Sequence, residues 1–282
     1  MKFCYQVATP DVAVSPDVTA FQGDLAESLD RLAALGYDGV EFMTLNPGEL
    51  DRDRVKAELD KRNMMVSLVC TGEIFGQLKL SYMDRDEARR KEAVRRSREI
   101  IDFAALLGAN INIGRVHGVF YHDIPRDTST GWLVDALREL CDHAGPKGVK
   151  VALESVTILQ TNVMNTIEEA VAIVDAVERD NCGVMMDVFH LNIEEKDMFD
   201  VIRRYARYNL HVHLSDNNRR YPGQCGLDFE RIIQAFKDVG YDAAFTTEIF
   251  QFPDQETAAV GSMRHLAPLF EKVYGRQVRG SF

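Results

Sequence analysis

Four residues of this chain pair chemically useful side chains with equivalent positions. Glu154 follows the apolar run 149–153, Asp187 follows 183–186, His213 closes 210–212 and Glu248 follows 245–247. Each would sit at the C-terminal end of a short buried strand. Three carboxylates and one imidazole suit one hard divalent ion, Mn²⁺, Mg²⁺ or Co²⁺, better than a structural zinc, which prefers Cys and His. Such ions take roughly six ligands, which leaves about two positions for substrate oxygens. Singly, a strand-end carboxylate reads as well as a cap on the next helix. Four successive strands ending Glu, Asp, His and Glu are harder to explain that way.

Two of these groups can also move protons. Glu154 and Glu248 would flank the ion from opposite sides. Two carboxylates across a metal-held α-hydroxycarbonyl can each reach the carbon-bound proton from one face. One removes it, the metal steadies the enediolate as a Lewis acid, and the other returns a proton. Return to the opposite face epimerises the carbon. Return to the neighbouring carbon interconverts aldose and ketose.

The elements that must position these groups alternate throughout the chain. Short apolar strands are expected near 3–7, 39–43, 64–70, 110–114, 149–153, 183–186, 210–214 and 244–249. Helical periodicity falls near 24–35, 51–62, 84–107, 131–144, 166–178, 198–208, 229–239 and 255–274. The strands are nearly continuous in apolar character, as strands covered on both faces should be. Eight strand–helix units without a linker point to one α/β domain over 1–282, a single (β/α)8 TIM barrel. A doubly wound open sheet competes, but no Gly-rich turn follows Val7. In a barrel, the C-terminal strand ends form the active-site mouth.

Strand alternation predicts what lies beneath. Glu154 shares a face with Ala152, Asp187 with Met185, His213 with His211 and Glu248 with Thr246. The layer below the mouth is therefore expected to be mostly small or apolar, with His211 as a core histidine supporting the site. Arg115 and His117 follow the fourth strand and are expected to point inward beside Glu154. There they would bind a substrate carboxylate or phosphate, or pair with a nearby acid. Cys70, Thr71 and Glu73 also reach the mouth as lining.

Bulk properties narrow the function further. The 282 residues carry 33 Lys and Arg against 44 Asp and Glu, a net charge of −11. That balance argues against a nucleic-acid partner, which demands excess positive charge. The basic run Arg89, Arg90, Lys91, Arg95, Arg96 and Arg98 is interleaved with Asp86, Glu87, Glu92 and Glu99, and reads as a solvated helix face. No apolar run is long enough to span a membrane. The N-terminal apolar stretch is too short for a signal peptide. Five scattered cysteines without a Cys-x-x-Cys are expected to be free thiols in a reducing cytoplasm.

The residues Glu154, Asp187-Val-Phe-His190-Leu-Asn-Ile-Glu-Glu195, His211-Val-His213, Asn218-Arg219-Arg220-Tyr-Pro-Gly223 and Thr247-Glu248 together resemble the xylose-isomerase-like barrel superfamily. Within it, the pattern is closest to the ketose 3-epimerases of the tagatose, psicose and 5-keto-gluconate type. The resemblance implies that Glu154, Asp187, His213 and Glu248 bind one metal ion, commonly Mn²⁺, with Glu154 and Glu248 as the acid/base pair. It implies that His190 and Arg219 hold substrate oxygens, whereas spacing alone would leave Arg219 a surface charge beside Arg220. It also implies a small sugar substrate and a homodimer or homotetramer. One position departs from the pattern. Where such epimerases carry a substrate-contacting Glu, this chain carries Gln160, which keeps the hydrogen bond and loses the charge. A ketose 3-epimerase is thus expected, with an aldose–ketose isomerase of the hydroxypyruvate-isomerase or sugar-phosphate type as the alternative. A metal nuclease on the same barrel would need more histidines and a basic face. A non-catalytic sugar-binding barrel would not need both glutamates.

Overall fold

A computed structural model describes residues 1–277 and 280, apart from Val14 and Asp17. Eight parallel strands close into a barrel in chain order. They are β1 (Lys2–Ala8), β2 (Gly39–Met43), β3 (Met65–Cys70), β4 (Asn110–Ile113), β5 (Val151–Glu154), β6 (Cys182–Asp187), β7 (Asn209–Leu214) and β8 (Ala244–Thr247). The helices are α1 (Leu25–Leu35), α2 (Arg52–Lys61), α3 (Gly72–Gly76), α4 (Glu87–Leu107) and α5 (Arg126–Ala144). Then come α6 (Ile167–Val177), α7 (Val188–Glu194), α8 (Met198–Tyr205), α9 (Phe229–Asp238) and α10 (Gln255–Tyr274). The expected TIM barrel is the observed fold.

The helix boundaries follow from capping chemistry. The Asp24 carboxylate accepts from the Glu27 amide to start α1, and Gly36 ends it at φ 92°, a conformation that suits a residue without a Cβ. Leu25, Leu29, Leu32 and Leu35 make the buried stripe between them. Asp86 caps α4, so that helix begins later than its polar periodicity suggested; Asp84 stays outside and pairs with Arg89. Helix α5 instead begins at Arg126, directly after Pro125, because a polar first turn hid its start from the apolar pattern. On α4, Lys91 pairs with Glu87, Arg95 with Glu92 and Glu99, and Arg96 with Glu92, as a solvated face should.

Two short helices were not expected. Helix α3 follows β3 at once. Helix α7 begins immediately after Asp187, whose carboxylate accepts from the Phe189 amide at 2.8 Å. His190 therefore lies in a helix. A helix of seven residues is too short to show a period of 3.6 convincingly.

The barrel register levels the key strand ends. Asp187 pairs with His213 across β6–β7, and Glu154 pairs with Met185 across β5–β6. Beneath them Ala152 and Met185 are buried as alternation predicted, but the other side of the floor is polar. Gln6, Glu41, Ser67, His211 and Thr246 are all buried there. They are satisfied by each other: Gln6 Nε2 donates to Glu41 Oε1 at 2.9 Å, His211 Nε2 lies 3.0 Å from Thr246 Oγ1, and Ser67 Oγ lies 3.2 Å from the same hydroxyl. Buried polar groups are tolerated when so paired. His211 is buried in this layer, as expected.

Candidate active site at the barrel mouth

Glu154 ends β5, Asp187 ends β6, His213 lies near the end of β7 and Glu248 follows β8. One ligand atom from each falls within 4.8 Å of all the others. Each carboxylate is fixed by a neighbour. Asn112 Nδ2 donates to Glu154 Oε2 at 3.2 Å. Thr19 Oγ1 donates to Glu248 Oε1 at 3.0 Å. Asp187 gives Oδ1 to the start of α7 and keeps Oδ2 facing the cluster. The backbone leaves room for them: a Cβ on Gly114 would stand 2.7 Å from Glu154 Oε2.

His213 decides whether this cluster suits a cation. Its Nε2 lies 2.8 Å from Glu41 Oε2 in a fully buried contact. Its Nδ1 is buried, 2.7 Å from Glu248 Oε2 and 3.5 Å from Asp187 Oδ2, yet makes no aligned hydrogen bond. With one proton held on Nε2 by Glu41, release of the other gives Nδ1 a lone pair among three carboxylates. A carboxylate behind an imidazole facing a metal is a recurrent arrangement, and hard oxygen donors complete a set suited to a divalent ion. The residues present fit the metal expected from the sequence.

The electrostatics divide the two glutamates. Burial raises the Glu154 carboxyl to about 8, and the Glu248 charge adds to that. Burial also opposes ionisation of Glu248, but Arg219 and His213 outweigh it and hold that carboxyl at about 2. Burial works against Asp187 too, yet Arg219 and His190 keep it well below the ordinary carboxylate range. Burial would neutralise His213, but Glu41 and Glu248 outweigh it and hold it well above the usual histidine value.

Arg219 is no surface charge. It is 8% exposed and bridges Asp187 and Glu248 through its two terminal nitrogens. Its backbone sits at φ 59°, in the left-handed region uncommon for a residue with a side chain. The turn is held by Asp216, whose carboxylate accepts from the Gly223 and Cys225 amides at 3.0 and 2.9 Å. His190 is buried beside the cluster, with Nε2 3.7 Å from Glu154 Oε1. Its Nδ1 accepts from the Thr157 amide at 3.3 Å, which leaves the proton on Nε2 and directed at the cluster. Burial lowers it to about 4, so it is neutral at pH 7.

A cavity of about 310 Å³ opens above this cluster. Glu154, His190, Arg219 and Glu248 line it together with Gln160, Arg115, Glu73 and Cys70. Arg115 Nη2 lies 3.9 Å from Glu73 Oε1, so the arginine both borders the cavity and pairs with an acid. His117 does not do what its position suggested. It is buried outside the cavity lining, with Nδ1 3.0 Å from the Gly118 carbonyl. The tight turn Arg115–His117 separates the two side chains that a continued strand would have kept on one face. Glu41, Asn112, Thr19, Phe189 and Phe250 were not anticipated. Glu41 alone left a signal, a lone charge inside the apolar strand Gly39–Met43.

Comparison with known proteins follows the same lines. Residues 29–269 match the family model "Xylose isomerase-like TIM barrel". A ketose 3-epimerase from Arthrobacter globiformis is 29% identical over 229 residues, 79% of this chain and 76% of that protein. An inosose isomerase from Halalkalibacterium halodurans is 29% identical over 269 residues, covering 89% of this chain and 88% of its own. In fold, a crystal structure of D-allulose 3-epimerase from Methylomonas sp. in complex with D-allulose superposes with a TM-score of 0.78 at 23% identity, over 94% of this chain and 96% of that one. The chain belongs to the xylose isomerase-like TIM barrel family.

Proposed function

We propose that the protein is a divalent-metal-dependent sugar epimerase that inverts a ketose at C3. The observation that carries this reading is the pair Glu154 and Glu248, which face one cavity in opposed electrostatic settings. Paired titratable groups driven apart in this way divide into an acid and a base. Glu248, held as a carboxylate, takes the proton from C3. Glu154, which favours the protonated form, returns one at the opposite face. The electron pair of the broken C–H bond moves onto the carbonyl oxygen and comes back to form the new C–H bond. His190 donates from Nε2, and Arg219 carries a fixed positive charge beside the same oxygens.

Glu154, Asp187, His213 and Glu248 would hold the metal, with Mn²⁺ the best fit and Mg²⁺ or Co²⁺ acceptable. When bound, the ion supplies Lewis-acid stabilisation of charge developing on substrate oxygen. The inosose isomerase similarity and the neutral Gln160 in the cavity favour one alternative, an isomerase that shifts the carbonyl with the same pair.

Proton NMR of a sugar panel in D₂O with Mn²⁺ tests both. Deuterium at C3 of a ketose is the expected result. Deuterium at C1 or C2 would establish the isomerase instead. EDTA should abolish turnover and Mn²⁺ restore it; full activity in metal-free protein would refute the site.

A further inference from the structure

The catalytic cavity does not end at its own rim. Phe250 forms part of its wall and also of a second depression of about 670 Å³. That depression is lined further by Phe252, Pro16, Pro253, Arg220 and Gln22. Phe250 is 39% exposed and Phe252 is 49% exposed. Two neighbouring aromatic rings left open to water next to a reactive cavity call for an occupant.

The depression is built rather than incidental. Phe250 N donates to the Arg219 carbonyl at 2.8 Å, which ties the aromatic segment to the loop that serves the catalytic cluster. Gln251 anchors the same segment from beneath: its Nε2 donates to the Ile249 carbonyl at 2.7 Å and its Oε1 accepts from Tyr5 at 3.0 Å. The rings are therefore positioned in advance, which lowers the ordering cost of binding. Arg219 and Arg220 then divide their duties. Arg219 turns inward to Asp187 and Glu248. Arg220 turns outward, with its guanidinium 3.8 Å from the centre of the Phe252 ring. Its place beside Phe252 sets the guanidinium at the edge of the depression that both side chains line.

We propose that this depression is a second saccharide subsite, and that the natural substrate is a two-unit sugar whose ketose end enters the catalytic cavity. The second ring lays its C–H face on Phe250 and Phe252, where the negative aromatic face attracts it. Arg220 donates to its oxygens, most strongly to a carboxylate of an acidic sugar unit. The size of the first cavity agrees, since about 310 Å³ lies at the lower end of the range for small-ligand sites. This inference rests on the sugar-epimerase reading above.

The test compares free D-fructose with glucosyl-fructoses and glucuronosyl-fructoses joined through O1, O4, O5 or O6. Affinity is measured by calorimetry on the Mn²⁺-loaded protein, and turnover by NMR. At least one disaccharide should bind about tenfold tighter than fructose, with the glucuronosyl form tightest. Phe252→Ala and Arg220→Gln should each erase most of that advantage and leave fructose turnover unchanged. Fructose turnover with no disaccharide binding tighter would overturn the subsite and leave the epimerase reading standing. Neither binding nor turnover of any sugar would overturn both. Light scattering that shows a dimer dissociated by Phe252→Ala would assign the patch to a second copy of the chain and also overturn the proposal.

Discussion

His213 Nε2 lies 2.8 Å from Glu41 Oε2, and both side chains are fully buried. One contact thereby joins the imidazole of the candidate metal cluster to the second strand, across the barrel interior. The Glu41 carboxylate also receives Gln6 and lies 3.2 Å from His211 Nε2. Burial opposes its charge, but His213 and His211 outweigh it and keep it ionised well below the usual range. It sets which nitrogen of His213 faces the cluster.

Glu41→Gln should therefore weaken metal binding by about 10–100-fold, the usual cost of losing such a supporting group. Competition with a fluorescent chelator measures it. Unchanged affinity would show that Glu41 serves only the packing of the floor.

Glu248→Gln tests the proton chemistry. The fold should survive, because the amide can still accept from Thr19 Oγ1, while turnover falls by about 10²–10⁴-fold. Steady-state kinetics at saturating Mn²⁺ separates this from metal loss. A near-normal rate would remove the two-glutamate mechanism.

Gly114→Ala reads the close approach beside Glu154. The new Cβ would stand 2.7 Å from Oε2, so the carboxylate must move. A flexible side-chain end can yield, and thermal stability should change little. Turnover should drop about 100-fold, the scale expected when a reacting group is displaced by about an ångström. Circular dichroism and kinetics on the same sample check both halves.

The pH dependence has a defined sign. Glu154 is raised from about 4.5 to about 8, so its neutral form favours the metal-free fold. That contribution is fully present below pH 4.5 and is lost as pH rises through 8. A metal ion needs the lone pair of a neutral His213, whose own value is raised. Mn²⁺ binding at pH 7 should therefore release about one proton, from His213, and affinity should tighten as pH rises. Calorimetry in buffers of different ionisation heat counts the protons. A count of zero would contradict the assigned charge states.

The sequence by itself determined the barrel and the identity of the cluster. Local apolar runs specify buried parallel strands, and a polar residue at the end of such a run has only the mouth to occupy. Glu154, Asp187, His213 and Glu248 were legible for that reason, and His211 could be placed below them by alternation. The tertiary structure decided whatever depended on partners distant in the chain. Glu41 lies 172 residues from His213, and Thr19 lies 229 from Glu248. No periodicity couples residues so far apart; only closure of the barrel does. The structure also decided direction. Arg219 turns inward through a left-handed backbone, and His117 turns away through a tight turn after β4. Strand alternation predicts side-chain direction only while the strand continues. Past its end, the backbone angles of each turn set which side chains reach the site.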